Sequence, residues 1–302
     1  MTAITVLDID SWVIWSVVIK FAGLLAMAGV IGGSFIHLLA DRLRFPARSH
    51  VRFYVLACAV LGWLVVPLHF LLQVGGINHS GIAGMFDPGM SVILLQSALG
   101  QVLLLRLLGF VVAANAVWLL MPENAGTMRR LAGYLLSGLS ALLLSGSFAV
   151  TGHTVNLAIA ASMLLVLHVL AVSLWIGALY PLLHLSGTAE LVKVHKLMRG
   201  FGALALCIVA ALLLAGVYLA TQLLQTPADL LTTSYGNTLL LKLTGVAVLL
   251  ALAALNKLLL TPRLAANGVA GLQRSIRCEI ALALYVVAVT SWMTTATGPA
   301  GQ

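Results

Sequence analysis

Charge is what this sequence has least of. Only 8% of its 302 residues are charged, and eight are acidic, whereas a soluble globular domain carries about 25% charged residues. So little charge cannot solvate the surface of a water-soluble fold, and the mean hydropathy of +1.11 agrees. Cysteine is scarce as well. Cys58, Cys207 and Cys278 stand singly in apolar sequence without CxxC spacing, which excludes a disulfide framework or zinc site and leaves them as expected small core residues. A nucleotide-binding loop, a nucleophile elbow and an HExxH helix are all missing, so hydrolysis has no support. The N-terminus, MTAITVLDIDSW, has no basic n-region and no small-residue cleavage pattern. The first span is therefore expected to stay as an anchor.

What is abundant is apolar length. Runs able to cross a bilayer as helices recur at about 11–39, 53–73, 101–120, 131–150, 151–184, 201–224, 238–260 and 276–297. Barrel strands would be half as long and strictly alternating. The expected fold is all-α: a polytopic membrane bundle of eight transmembrane helices, with residues 1–302 forming one integral membrane domain. A net charge of +8 and a pI near 9.8 could suggest nucleic acid, but the basic residues sit in short loops between spans, so no nucleic-acid partner is expected. Arg42, Arg44, Arg48 and Arg52 follow the first span; Arg129 and Arg130 follow the third; Lys193, Lys196 and Arg199 follow the fifth; Arg263 and Arg274 follow the seventh. The even-numbered loops hold no Lys or Arg. Basic loops stay cytoplasmic, so both termini are expected outside, in the periplasm of a Gram-negative cell.

An internal repeat is also legible. Leu94–Gly109, LLQSALGQVLLLRLLG, aligns without a gap on Leu230–Gly245, LLTTSYGNTLLLKLTG, placing Arg106 on Lys242. A similar offset places Arg52 on Arg199 and His37 on His184. This predicts a parallel 4+4 duplication, residues 1–150 and 151–302, with sites at the interface between halves.

The stretch Thr151–His184 carries His153 at its start, His168 well inside and His184 at its end. Counting from Asn156 as first helical residue, His168 lies roughly 18 Å along the axis, near the midplane of a ~30 Å core. A lipid-facing imidazole would have no partner, so His168 should face the bundle interior. Trp175 follows two turns on, Gly177 thins the helix, and Pro181 is expected to end or kink it. His69 is the other histidine inside a span. His79, Met85 and Met90 lie on the Gly-rich outer loop, and imidazole with thioether suits Cu(I) rather than Mg or Ca. His37, His50, His184 and His195, at the cytoplasmic ends beside basic residues, read as interfacial histidines. Glu279 is placed close to the cytoplasmic end, leaving no membrane-embedded carboxylate. Arg106 and Lys242 either snorkel or face an anionic group, and Lys20, about nine residues into its span, is expected in the interior.

Several of these segments look familiar together. GHT at 152–154, LHVLAVSLWIGALYPL at 167–182, SYGNTLLLK at 234–242, NKLLLTPRL at 256–264 and LQRSIRCEI at 272–280 resemble the bacterial copper resistance D family (CopD/PcoD). The resemblance implies an eight-span protein of the bacterial inner membrane that moves copper from periplasm to cytoplasm beside a periplasmic copper-binding partner of the CopC type. On that reading the cargo is a copper ion, in the cuprous state, and the protein is not an enzyme. Its metal ligands would be His153, His168, His69, His79, Met85 and Met90, with Arg106, Lys242, Lys20 and Trp175 as further buried polar groups. Four-span haem proteins of protoporphyrinogen oxidation resemble each half, so the alternative is a haem b redox protein with His69 and His168 as axial ligands and Arg106 and Lys242 near propionates.

Overall fold

The computed structural model describes residues 4–45, 48–78, 81–122, 125–150, 159–188, 190–223 and 228–296. Among these the chain is helical, with no strand. In order the elements are α1 (Ile4–Arg42), α2 (Arg48–Asn78), α3 (Gly81–Gly84), α4 (Pro88–Leu95), α5 (Ala98–Leu120), α6 (Thr127–Gly146), α7 (Ile159–Ser186), α8 (Leu191–Leu223), α9 (Asp229–Thr232), α10 (Ser234–Leu255), α11 (Leu264–Asn267) and α12 (Ala270–Ala296), with a π-helical turn, Asn256–Leu260, extending α10. Large apolar side chains such as Leu64, Leu104, Leu214 and Val217 point outward, the reverse of a soluble fold and the arrangement that a hydrocarbon solvent requires.

Among the described residues, seven helices are long and apolar enough to cross a membrane. The eighth expected span, 131–150, corresponds to α6, which does not qualify. It is only 20 residues long and includes Arg129 and Arg130 in its first turn, so its apolar part is short. The helices otherwise follow the hydropathy, with differences at their ends. Helix α2 runs past Gln73 to Asn78, and α7 continues through Pro181 to Ser186. Proline therefore does not terminate α7.

Local chemistry explains several boundaries. Helix α1 closes with Arg44 at a left-handed φ of 51°, while Phe45 N–H donates to Ala40 O (2.9 Å) and Arg44 N–H to Asp41 O (3.1 Å). These two bonds form a Schellman closure, and its hydrophobic contact is Phe45, which is buried. Asp87 caps α4 by accepting from Met90 N–H at 2.7 Å, followed by Pro88 at the first helical position. Ser97 caps α5 and Thr233 caps α10 in the same way.

Helix α1 sits at the centre, packed against α2, α6, α7 and α12. Its closest crossing is with α7 at Gly32 and Gly177. A Cβ on Gly32 would stand 2.5 Å from Ala178 N, and one on Gly177 would overlap the Ala28 carbonyl. Only paired glycines let these backbones meet, the usual device for packing helices whose apolar surfaces gain nothing by leaving lipid. One buried cluster gathers Ile36, Trp175, Leu182, Leu197, Leu249 and Ala283 around α7. A second gathers Met27, Ala59, Phe110 and Leu144 between α1, α2, α5 and α6.

The cysteine expectation holds only in part. Cys58 is half-buried, whereas Cys207 and Cys278 are exposed on the bundle surface. As small apolar side chains they are tolerated there.

Candidate functional site

Among the described residues, polar side chains inside this bundle collect in three places, apart from a buried pair, Glu279 and Asn256, described below. The first is a cleft between α1, α2, α5 and α6, lined by Lys20, Met27, His69, Arg106, Phe110 and Phe148 among others. Here α2 presents His69 two residues beyond Pro67, α1 presents Lys20 and Met27 two turns apart, and α5 presents Arg106. Lys20 Nζ donates to Thr294 O (3.0 Å) and Thr295 Oγ1 (3.4 Å) on α12, so it ties the chain's first and last long helices together. Arg106 Nε donates to Ser147 Oγ at 3.0 Å, and its guanidinium lies 4.8 Å from the Phe148 ring centroid. Both cations also lie within electrostatic reach of His69.

The second place is His168 on α7. Its Nδ1 is buried and has no hydrogen-bond partner, and the charge acting on it is that of Lys242 on α10. A buried polar atom left unpaired costs roughly 1–3 kcal/mol. His168 does not line the cleft that holds His69.

The third place, at the arginine-rich end, was not expected to be a site. Asp41 on α1 accepts from Tyr134 Oη (2.7 Å) and Arg130 Nη1 (3.2 Å) and lies 3.7 Å from Arg48 Nη1. Arg52 donates to Leu120 O (2.7 Å) and Met121 O (2.9 Å), satisfying carbonyls at the end of α5. His37 lines the same pocket, only 4% exposed, with a buried and unpartnered Nε2. On the α7 side, the rings of His50 and His184 lie 4.8 Å apart and His184 Nε2 is likewise buried and unpartnered.

The remaining expected residues divide. Met85 is buried where a Cβ on Gly75 would also meet Trp12, and Met90 packs against Phe70, Val74 and Leu94. Both thioethers thus fill apolar space at these positions. Trp175 is buried in the core cluster around α7. His79 and His153 lie outside the described residues, as does Asn156. No group of three or more His, Cys, Asp or Glu side chains able to hold a metal occurs among the described residues.

Residues 8–160 match the family model of the copper resistance protein D-like N-terminal domain, and residues 195–293 match that of copper resistance protein D. The chain belongs to the copper resistance protein D family. Comparison with curated proteins and with solved structures returns no match. As a member of this family with several helices suited to crossing a bilayer, it is a multi-pass membrane protein connected with copper. The haem reading finds no support, since the two histidines proposed as axial ligands do not line one cleft and neither family match concerns haem.

The copper resistance D family member also holds a buried carboxylate that its sequence did not advertise. Glu279 on α12 is only 3% exposed and accepts from Asn256 Nδ2, at the start of the π-helical turn. Glu279, expected close to the cytoplasmic end, is thus enclosed by protein at the level where α10 passes into the π-helical turn. A visible signal was the Asn at 256 inside an apolar run, which needed a partner, though sequence alone does not say which.

Proposed function

We propose that this protein carries copper, as Cu(I), from periplasm to cytoplasm across the bacterial inner membrane. The observation that carries the reading is His168: an imidazole with a buried, unpartnered nitrogen in a membrane-suited helix of a copper resistance family chain. An ionisable residue in that position is functional by default, because a structural role would have given it a partner. Imidazole is a borderline ligand that suits copper, and weak binding at separate depths serves conduction better than one tight cage.

In this reading the outer access uses His153 and His79 with Met85 or Met90, whose thioethers would turn out of their apolar packing to reach the metal, the buried relay uses His168 and His69, and a CopC-type periplasmic protein delivers the metal. Lys20 and Arg106 beside His69 repel a metal cation, which keeps that step weak. With no ATP-binding motif, transfer would be driven by downstream capture or the membrane potential, the latter worth about 2.3 kcal/mol per charge per 100 mV.

Eight spans with both termini periplasmic fit this role, α6 being the shortest span. Support for the duplication comes from matched details. Ser97 and Thr233 cap α5 and α10 at equivalent positions of the aligned segments. Gly109 lies against Leu144 of α6, and Gly245 against Tyr285 and Val286 of α12. The test is copper accumulation in cells producing wild type, His153→Ala, His69→Ala or His168→Ala at equal membrane levels. The reading expects the variants to accumulate less; a His168→Ala variant that matches wild type removes its central residue.

A further inference from the structure

At the arginine-rich end of the bundle, α2 and α7 meet along a short ladder of rings. Tyr54 and Tyr180 lie 5.1 Å apart, and Tyr54 Oη donates to Gly177 O at 3.4 Å. One turn nearer the helix ends, His50 and His184 lie 4.8 Å apart with their planes inclined by 43°. The two imidazoles differ in setting. His50 is exposed, whereas His184 is half-buried and its Nε2 is shielded from solvent without any protein partner. A packing histidine would hydrogen-bond that nitrogen to the nearby main chain or to a hydroxyl, as Ser186 Oγ does with Leu183 O at 2.7 Å on the same turn. His184 keeps its nitrogen unspent and beside a second imidazole.

We propose that His50 and His184 form a soft-metal site at which a cuprous ion is handed from the bundle interior to the arginine-rich side. It is a site additional to His168 and His69, and it rests on the copper-transport reading above. Two neutral imidazoles suffice for Cu(I), which does not demand an octahedral oxygen shell, and metal–nitrogen bonds of about 2 Å fall within reach of rings this close after a side-chain rotation of the exposed His50. The tyrosine pair lies one turn deeper along the same two helices, and the exposed His50 ring opens the site to solvent. Arg52 is held by two carbonyls at the end of α5 and Arg48 by Asp41 of α1, which directs both guanidinium groups toward those helices. Placement near the start of α2 and the end of α7 means that a shift of α7 against α2 would assemble or open the pair, the behaviour a release site needs.

The experiment uses the full chain purified in detergent, loaded with Cu(I) under anaerobic reducing conditions and titrated with a chromogenic cuprous chelator. Wild type is compared with His50→Gln and His184→Gln, each checked for a wild-type melting curve. The expected result is that each variant loses about one equivalent of chelator-competitive copper relative to wild type. Because His50 is exposed, His50→Gln decides the matter even if His184→Gln folds poorly. Retention of wild-type stoichiometry and affinity in His50→Gln overturns this site while leaving transport through His168 standing. Wild type that binds no cuprous ion at all overturns the transport reading itself, and this site with it.

Discussion

Replacing Gly32 by alanine adds one methyl group at the place where α1 and α7 cross, and the structure specifies what it meets. Its Cβ would lie 2.5 Å from Ala178 N, 2.5 Å from Gly177 C and 2.7 Å from Gly177 Cα, against an ordinary heavy-atom separation of about 3.5 Å. The obstacle is backbone, so no rotamer change relieves it, and the helices must part by roughly 1 Å. A gap of that size forfeits a quarter to a half of the dispersion attraction along the crossing. Overpacking generally costs about 1–3 kcal/mol, and an obstacle that cannot move puts Gly32→Ala at roughly the upper end of that range. Gly177→Ala, whose methyl would overlap a carbonyl oxygen, should be worse. Gly138→Ala on α6 and Gly216→Ala on α8 are the controls, since a Cβ there meets nothing within 4 Å and alanine gains helix propensity of roughly 1 kcal/mol. The assay is the apparent melting temperature of purified protein in one detergent, with monodispersity as a second readout. Gly32→Ala and Gly177→Ala should melt several degrees lower than wild type, about 5 °C or more, and the controls should not. If Gly32→Ala melts with the controls, the close crossing of α1 and α7 is not how this bundle is held.

Two further outcomes are expected. Lys20→Met keeps the side chain's length but removes a positive charge beside His69; unit charges about 8 Å apart repel by roughly 2 kcal/mol at an effective dielectric of about 20, so cuprous binding in that cleft should tighten roughly thirtyfold by chelator competition, and unchanged or weaker binding would show that Lys20 does not act on the metal. Reporter fusions at Gly187 and Gly81 should give opposite localisation signals, since Gly187 precedes a basic loop and Gly81 lies in a loop without Lys or Arg; matching signals would end the proposed topology.

Much of the architecture was legible because a bilayer leaves few choices. A chain that must satisfy every backbone group internally and offer apolar side chains to lipid writes its helices as hydropathy, so α1, α2, α5, α7, α8, α10 and α12 stand close to where the apolar runs are. The misjudged boundaries arose where a second force overrode hydropathy. Pro181 did not end α7, because a helix in a packed bundle can carry one proline when neighbouring groups take up the freed carbonyl. The span at 131–150 lost standing because the helix starts at Thr127 and so draws two arginines into its first turn. Those arginines are not loose: Arg130 binds Asp41 and Arg129 Nε donates to Leu119 O at 3.0 Å.

The candidate chemistry was legible by depth but not by partner. His69, His168, Lys20, Arg106 and Lys242 announce themselves as polar letters in apolar words, and the sequence correctly raises the question of what faces them. It does not answer it, because partners come from helices far apart in the chain, such as Thr294 for Lys20. The histidines at the arginine-rich end were passed over for the opposite reason. Near arginines and loops, an imidazole has water or headgroups as its default company, so sequence position gave it no claim to a role. The structure changes that weighting through single atoms: the Nε2 of His37 and of His184 are enclosed without partners. Of the two, His184 has a second imidazole in contact and His37 has Asp41, Arg48, Arg52, Arg130 and Tyr134 around its pocket. The first environment suits a soft cation and the second, crowded with guanidinium groups, does not. The differing neighbours thus leave His184 beside an imidazole as the candidate for a metal, and His37 within the ionic cluster that fixes α1, α2 and α6 together.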